Sequence, residues 1–304
     1  MSLIDDFLMN EVIGNEEHGI EVIDYILQVV LGQKIEIDNV QVQRIQTAGD
    51  NEKRGIRLDI RTKISLYQIL IFSDLPSDSV ILPDNKATVG IEVHNTKSET
   101  QSREKFDIRR RSRLYQSILD VNMLNTGDDF GDLDDVIIIV CTSFDVFGRD
   151  RYKYTFTNIC HEESDLLLDD GAYRIFLNTK GKTGGSTELK ELLNYTESSD
   201  IRNATNEKLM KLHAIVSKVK NSKEARERYM WESEKLERAR DEGREEAKAE
   251  ITELKAKNAD IKAENAEIKA ENTEIKAENA EIKTALTKIM AELATLKEQM
   301  ISNK

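Results

Sequence analysis

The chain has 304 residues, with 44 lysines and arginines against 57 aspartates and glutamates, and a formal net charge of −13. So acidic a balance excludes a generic nucleic-acid-coating protein, because attraction to phosphate needs clustered cations. Two cysteines outside any CxxC pair, Cys141 and Cys160, exclude a disulfide framework and a structural zinc site, and no apolar stretch approaches the ~20 residues of a membrane span.

The acidic N-terminus MSLIDDFLMN has neither the cationic nor the apolar region of a signal peptide, so a cytoplasmic protein is expected. Residues 16–31 place Ile20, Ile23, Leu27 and Val30 at helical spacing, and Gly32 follows as a stop. Residues 35–48 alternate loosely, as a strand or an extended loop does. Residues 55–64 read as a strand, with Ile56, Leu58 and Ile60 on one face and Arg57, Asp59 and Arg61 on the other. Residues 66–73 are another β-like run, followed by a turn region with the only prolines, Pro76 and Pro83. A strand is expected at 89–94 and a helix at 101–124, anchored by Ile108, Tyr115, Ile118 and Leu119. The apolar run 136–142 has the composition of a strand buried on both faces. Shorter strands are expected at 152–156 and 173–177, and helices from 186 onward. This order of elements fits an α/β domain built on a central mixed sheet.

The C-terminal part holds a true repeat. IKAENAE (261–267), IKAENTE (268–274), IKAENAE (275–281) and IKTALTK (282–288) stand in strict seven-residue register. With Ile261, Ile268, Ile275 and Ile282 at d, the a positions are Asn258, Asn265, Asn272 and Asn279. Leu286, Ile289, Leu293, Leu296 and Met300 continue the seam. Glu264, Glu271 and Glu278 fall at g and Lys269, Lys276 and Lys283 at the following e, pairs that attract across a parallel interface. Asn at a favours a dimer and Ile at d favours higher order, so a homodimer or a homotrimer is expected.

Two carboxylates stand out by context. Asp59 lies mid-strand between Leu58 and Ile60, and Glu92 lies between Ile91 and Val93. On neighbouring strands the two can meet, and paired hard oxygen ligands suit Mg²⁺. His94, two residues after Glu92, points to the same side of its strand. The ordinary reading of such residues is a solvated strand face. The six cations of 103–113 (Arg103, Lys105, Arg109, Arg110, Arg111, Arg113) are the one local exception to the acidic balance.

The segments RLDI (57–60), GIEVHN (90–95), RRRSRLYQSILD (109–120), 127–156 and DDGAYRIFLNTKG (169–181) occur in that order. On these segments the chain resembles the recombination-promoting nuclease/putative transposase family, a branch of the PD-(D/E)XK nucleases. The resemblance implies a restriction-endonuclease-like core. In it Asp59 and Glu92 bind Mg²⁺, which activates water for attack on a DNA phosphodiester. The position two after the second acid helps to place water or phosphate; the wider class has Lys there, this family often Gln, and this chain His94. The basic helix flanks the acids, so Arg109, Arg111 and Arg113 are implied to hold DNA phosphates, with Tyr115 and Gln116 nearer the cleft. Glu16 or Glu17 completes the metal shell or complements a helix dipole.

The chain departs from the family pattern in His94 and in the 32 residues between the acids, an excess around 66–86 that reads as an inserted strand and loop. The expected organisation is a nuclease-like domain (1–185), a helical connector (186–250) and a parallel coiled coil (251–304). The expected function is a Mg²⁺-dependent DNA endonuclease linked to recombination or transposition. The alternative is a nuclease fold without catalysis, serving as an oligomeric DNA-binding or scaffold protein.

Overall fold

The computed structural model describes residues 1–46, 56–67, 86–95 and 101–302. The expected β-like run beyond Tyr67 and the inserted region with Pro76 and Pro83 lie outside the described residues. The chain divides into two compact units, Met1–Tyr229 and Met230–Lys304.

The first unit opens with α1 (Asp6–Ile13) and α2 (Gly19–Leu31), which ends at Gly32 in the left-handed conformation that glycine adopts without strain. Strands β1 (Lys34–Gln46), β2 (Ile56–Tyr67) and β3 (Lys86–His94) form an antiparallel meander. The helix α3 (Gln101–Val121) then carries the chain to β4 (Asp135–Thr142), which runs parallel to β3. A parallel pair needs a crossover of this kind, because no tight turn can bring the chain back in the same direction. Strands β5 (Lys153–Phe156) and β6 (Ala172–Asn178) complete a mixed six-stranded sheet in the order β1-β2-β3-β4-β6-β5. The helices α4 (Thr187–Glu197) and α5 (Glu207–Asn221) follow.

Every residue of β4 is buried, as its unbroken apolar run requires. Its side chains alternate between two cores. Ile137, Ile139 and Cys141 enter the larger one, with α1, α2, α4 and α5, and Val136, Ile138 and Val140 enter the smaller one, beneath α3. Burial pushes the Cys141 thiol up to about 12, with the Glu197 charge adding to the effect, so this cysteine is a buried neutral thiol.

The helices after residue 185 belong to this unit. Leu189, Leu192, Leu193 and Tyr195 of α4, and Leu209, Leu212, Val216 and Val219 of α5, are members of the larger core. The stretch read as a connector therefore supplies a wall of the core as far as Tyr229. The helix α1 was not foreseen; it is eight residues long and buries Phe7, Leu8, Met9, Val12 and Ile13.

The second unit lies within α6 (Lys223–Ser302), a single helix through the heptads. Ile261, Ile268, Ile275 and Ile282 are each about half exposed, at 53, 48, 53 and 64 %. Ion pairs such as Glu253–Lys257, at 2.6 Å, line its surface at helical spacing. No helix among the described residues is long and apolar enough to cross a membrane.

Truncating Leu209 to alanine, a fully buried side chain on α5, should destabilise the fold by about 2–5 kcal/mol. Met210→Ala, on the exposed face of the same helix, should change stability by no more than about 0.5 kcal/mol. Chemical denaturation of the two variants measures the contrast.

Candidate functional site

Strand β3 is covered on both sides. Val89, Ile91 and Val93 enter the larger core, and the alternation of the strand sends Glu92 and His94 to the face that α3 covers. Glu92 is 4 % exposed. An ionised carboxylate so deeply placed must be compensated, and α3 supplies most of the compensation. Arg111 and Tyr115 stand four residues apart on one helix face. The Tyr115 hydroxyl donates to Glu92 Oε1 at 2.7 Å, and Arg111 Nη2 donates to the same oxygen. Arg111 also donates to the Tyr115 oxygen, from Nε at 3.0 Å and from Nη2 at 2.7 Å. His94 Nε2 lies 3.1 Å from Glu92 Oε1. Burial raises the Tyr115 phenol well above its ordinary value, and the neighbouring Glu92 charge raises it further, so the hydroxyl keeps the proton it donates.

The second carboxylate oxygen, Glu92 Oε2, is buried and has no hydrogen-bond partner among the described residues. Leaving a buried charged oxygen without a partner costs about 1–3 kcal/mol or more. Asp59 lies in β2, the strand next to β3. The paired register of the two strands ends at Ile60 opposite Ile91, the residues that adjoin Asp59 and Glu92 in the chain. The Asp59 side chain lies outside the described residues.

The other residues singled out from the sequence occupy different surroundings. Arg109 is exposed on α3 and reaches the loop after β4: its Nη2 donates to the Val146 carbonyl at 2.6 Å, and its guanidinium lies 4.7 Å from the centre of the Phe147 ring. Val146 belongs to a loop organised by Asp145, which accepts bonds from the Phe147 amide at 2.9 Å, the Asp150 amide at 2.5 Å and the Tyr154 hydroxyl at 2.9 Å. Burial alone would raise the Asp145 carboxyl, but these bonds outweigh it and hold the group below its ordinary range. Gln116 is buried and accepts from Arg174 Nη2 at 2.7 Å. Arg113 is exposed on α3.

Glu16 and Glu17 lie in the turn before α2, whose first residue is Gly19. Glu17 pairs with Lys218 at 2.8 Å, and that bond lowers its carboxyl below the ordinary range. Among the described residues no group of three or more His, Cys, Asp or Glu side chains is placed to hold a metal ion. The partnership of Tyr115 with Glu92, and of Arg174 with Gln116, was not read from the sequence. The i,i+4 spacing of Arg111 and Tyr115 was the available signal for the first, and the second joins residues 58 apart in the chain. Comparison with protein-family models, with curated proteins and with solved structures finds no match for this chain.

Because Arg109 ties α3 to the Asp145 loop, Arg109→Ala should destabilise the protein by about 1–3 kcal/mol, through the orphaned Val146 carbonyl and the lost ring contact. Arg113→Ala should leave stability within about 0.5 kcal/mol. Thermal and urea unfolding of the two variants tests the distinction.

Proposed function

We propose that the first unit is a metal-dependent DNA endonuclease of the PD-(D/E)XK type. The observation that carries this reading is the buried, unpartnered Glu92 Oε2, with Asp59 on the adjacent strand next to the last paired residue, Ile60. A hard divalent cation takes carboxylate oxygens as ligands, and a second unspent oxygen at this place fits that demand. Asp59 and Glu92 would hold the Mg²⁺. When bound there, the ion supplies a water of lowered pKa and a counter-charge for the phosphodiester. His94 is already in contact with Glu92 and occupies the position that the family resemblance assigns to water or phosphate placement. The exposed Arg113 is available to a DNA phosphate, as a backbone contact that carries no sequence preference. Arg109, Arg111 and Gln116 would act on DNA through the shape of the surface that they hold.

One observation favours a second reading. Glu92 Oε1 is fully engaged by Arg111, Tyr115 and His94, which is also how a buried carboxylate anchors a helix to a sheet without doing chemistry. Cleavage of supercoiled plasmid separates the two readings. The protein with Mg²⁺ should nick or linearise the plasmid, and Asp59→Ala and Glu92→Ala should each lower the rate by at least about 10²-fold. An intact plasmid with folded protein would leave the anchor reading in place.

The second unit is proposed to join copies of the chain through a parallel coiled coil, as a homodimer or homotrimer. The support is the row of half-exposed isoleucines at strict seven-residue spacing, with glutamates at g facing lysines at e. Sedimentation should find an oligomer for the protein and a monomer for the double variant Ile268→Lys/Ile275→Lys. Monomeric wild-type protein at micromolar concentration would overturn this part.

A further inference from the structure

The two hydrogen-bond donors to Glu92 converge on one oxygen, and His94 lies against the same atom. Arg111 Nη2, the Tyr115 hydroxyl and His94 Nε2 meet Oε1, and Oε2 is buried with no partner among the described residues. A carboxylate that only anchored a helix would be expected to spread its donors over both oxygens, since each has lone pairs to satisfy. Here the asymmetry is sharp, and it has a mechanical consequence. With Oε1 fixed from two points on a rigid helix, the carboxylate plane cannot turn, and the position of Oε2 is set by Arg111 and Tyr115.

We propose that Arg111 and Tyr115 are positioning residues that hold Glu92 through Oε1 and present Oε2 alone as the oxygen for a divalent cation. The inference rests on the reading of Glu92 as a metal ligand, and it gives Arg111 a role other than contact with DNA. Loss of a partner that orients a ligating group typically costs about 10–100-fold in metal affinity. The two act as a pair. Tyr115 accepts from Nε and Nη2 of Arg111 and donates to Glu92, so loss of either loosens the other. The helix spacing of four residues fixes both from one element, which makes the arrangement stiff.

The test uses the full chain and Mn²⁺ as the probe, with bound ion measured from the loss of the free-ion electron paramagnetic resonance signal. Wild-type protein should bind Mn²⁺, and Glu92→Gln should abolish that binding. Tyr115→Phe keeps the ring and removes the hydroxyl, and Arg111→Lys keeps the charge and removes the planar fork. Each should raise the Kd for Mn²⁺ by about 10–100-fold in folded protein. A merely structural clamp would lower the melting temperature and leave the Kd of the folded protein where it is, and that result would overturn the proposal. If Arg111→Lys does not fold, Tyr115→Phe decides alone. Mn²⁺ binding lost in Glu92→Gln and weakened in Tyr115→Phe, together with an uncut plasmid, would end the nuclease reading and uphold this one. Unweakened binding in both positioning variants, together with a cut plasmid, would overturn this proposal and leave the nuclease reading standing. No binding by wild-type protein, or binding indifferent to Glu92→Gln, would overturn the positioning role outright.

Discussion

A carboxylate on a strand that is covered on both faces has to find its counter-charges inside the protein, and Glu92 sets that demand for the whole centre of the first unit. The demand is met from α3, whose Arg111 and Tyr115 reach the same oxygen. The helix therefore cannot slide along the sheet or turn about its axis without stranding a buried charge, a loss of about 3–5 kcal/mol. Apolar contacts alone would fix α3 less well, because burial of area is non-directional. Ile108, Ile118 and Leu119 supply the area, and the Glu92 bonds supply the register.

The parallel pairing of β3 and β4 follows from the same placement. The chain leaves β3 at His94, two residues beyond Glu92, and must return in the same direction at Asp135. The crossover helix that makes this possible is the helix that compensates the carboxylate. On the opposite face, α1, α2, α4 and α5 close the larger core over alternate residues of β4. The strand with the longest apolar run thus lies at the middle of the sheet, where both faces demand apolar side chains.

Much of this was legible in the residues. The alternation of β2 and β3 marked both acids, and the run at 136–142 announced a doubly buried strand. That β2 and β3 are neighbours is not legible there, since sequence shows periodicity within a strand and not which strands pair. The length of α1 hid it: eight residues give two turns, too short for a period to stand out from an apolar stretch. The helices 187–197 and 207–221 were visible as helices, but their place in the core was not. A stripe of leucines reads the same whether it meets a sheet in the same domain or another helix. At the site, the direction of Arg111 escaped the sequence because a helix carries side chains on every face. Only the position of the sheet decides which of them point inward.

That last point changes how the arginine cluster of α3 reads. Six cations within eleven residues of an acidic chain look like the footprint of a phosphate backbone. Yet Arg109 is bound to the Val146 carbonyl and the Phe147 ring, and Arg111 to Glu92. Each satisfies an acceptor of the fold itself, the Val146 carbonyl or the Glu92 carboxylate, although Arg109 is exposed and the Arg111 side chain keeps 42 % of its surface open. A helix that has to compensate a buried acid from one side will carry excess arginine whether or not it meets a nucleic acid on the other. Of that cluster Arg111 is accounted for by the buried carboxylate, so its charge does not count as independent support for a nucleic-acid contact.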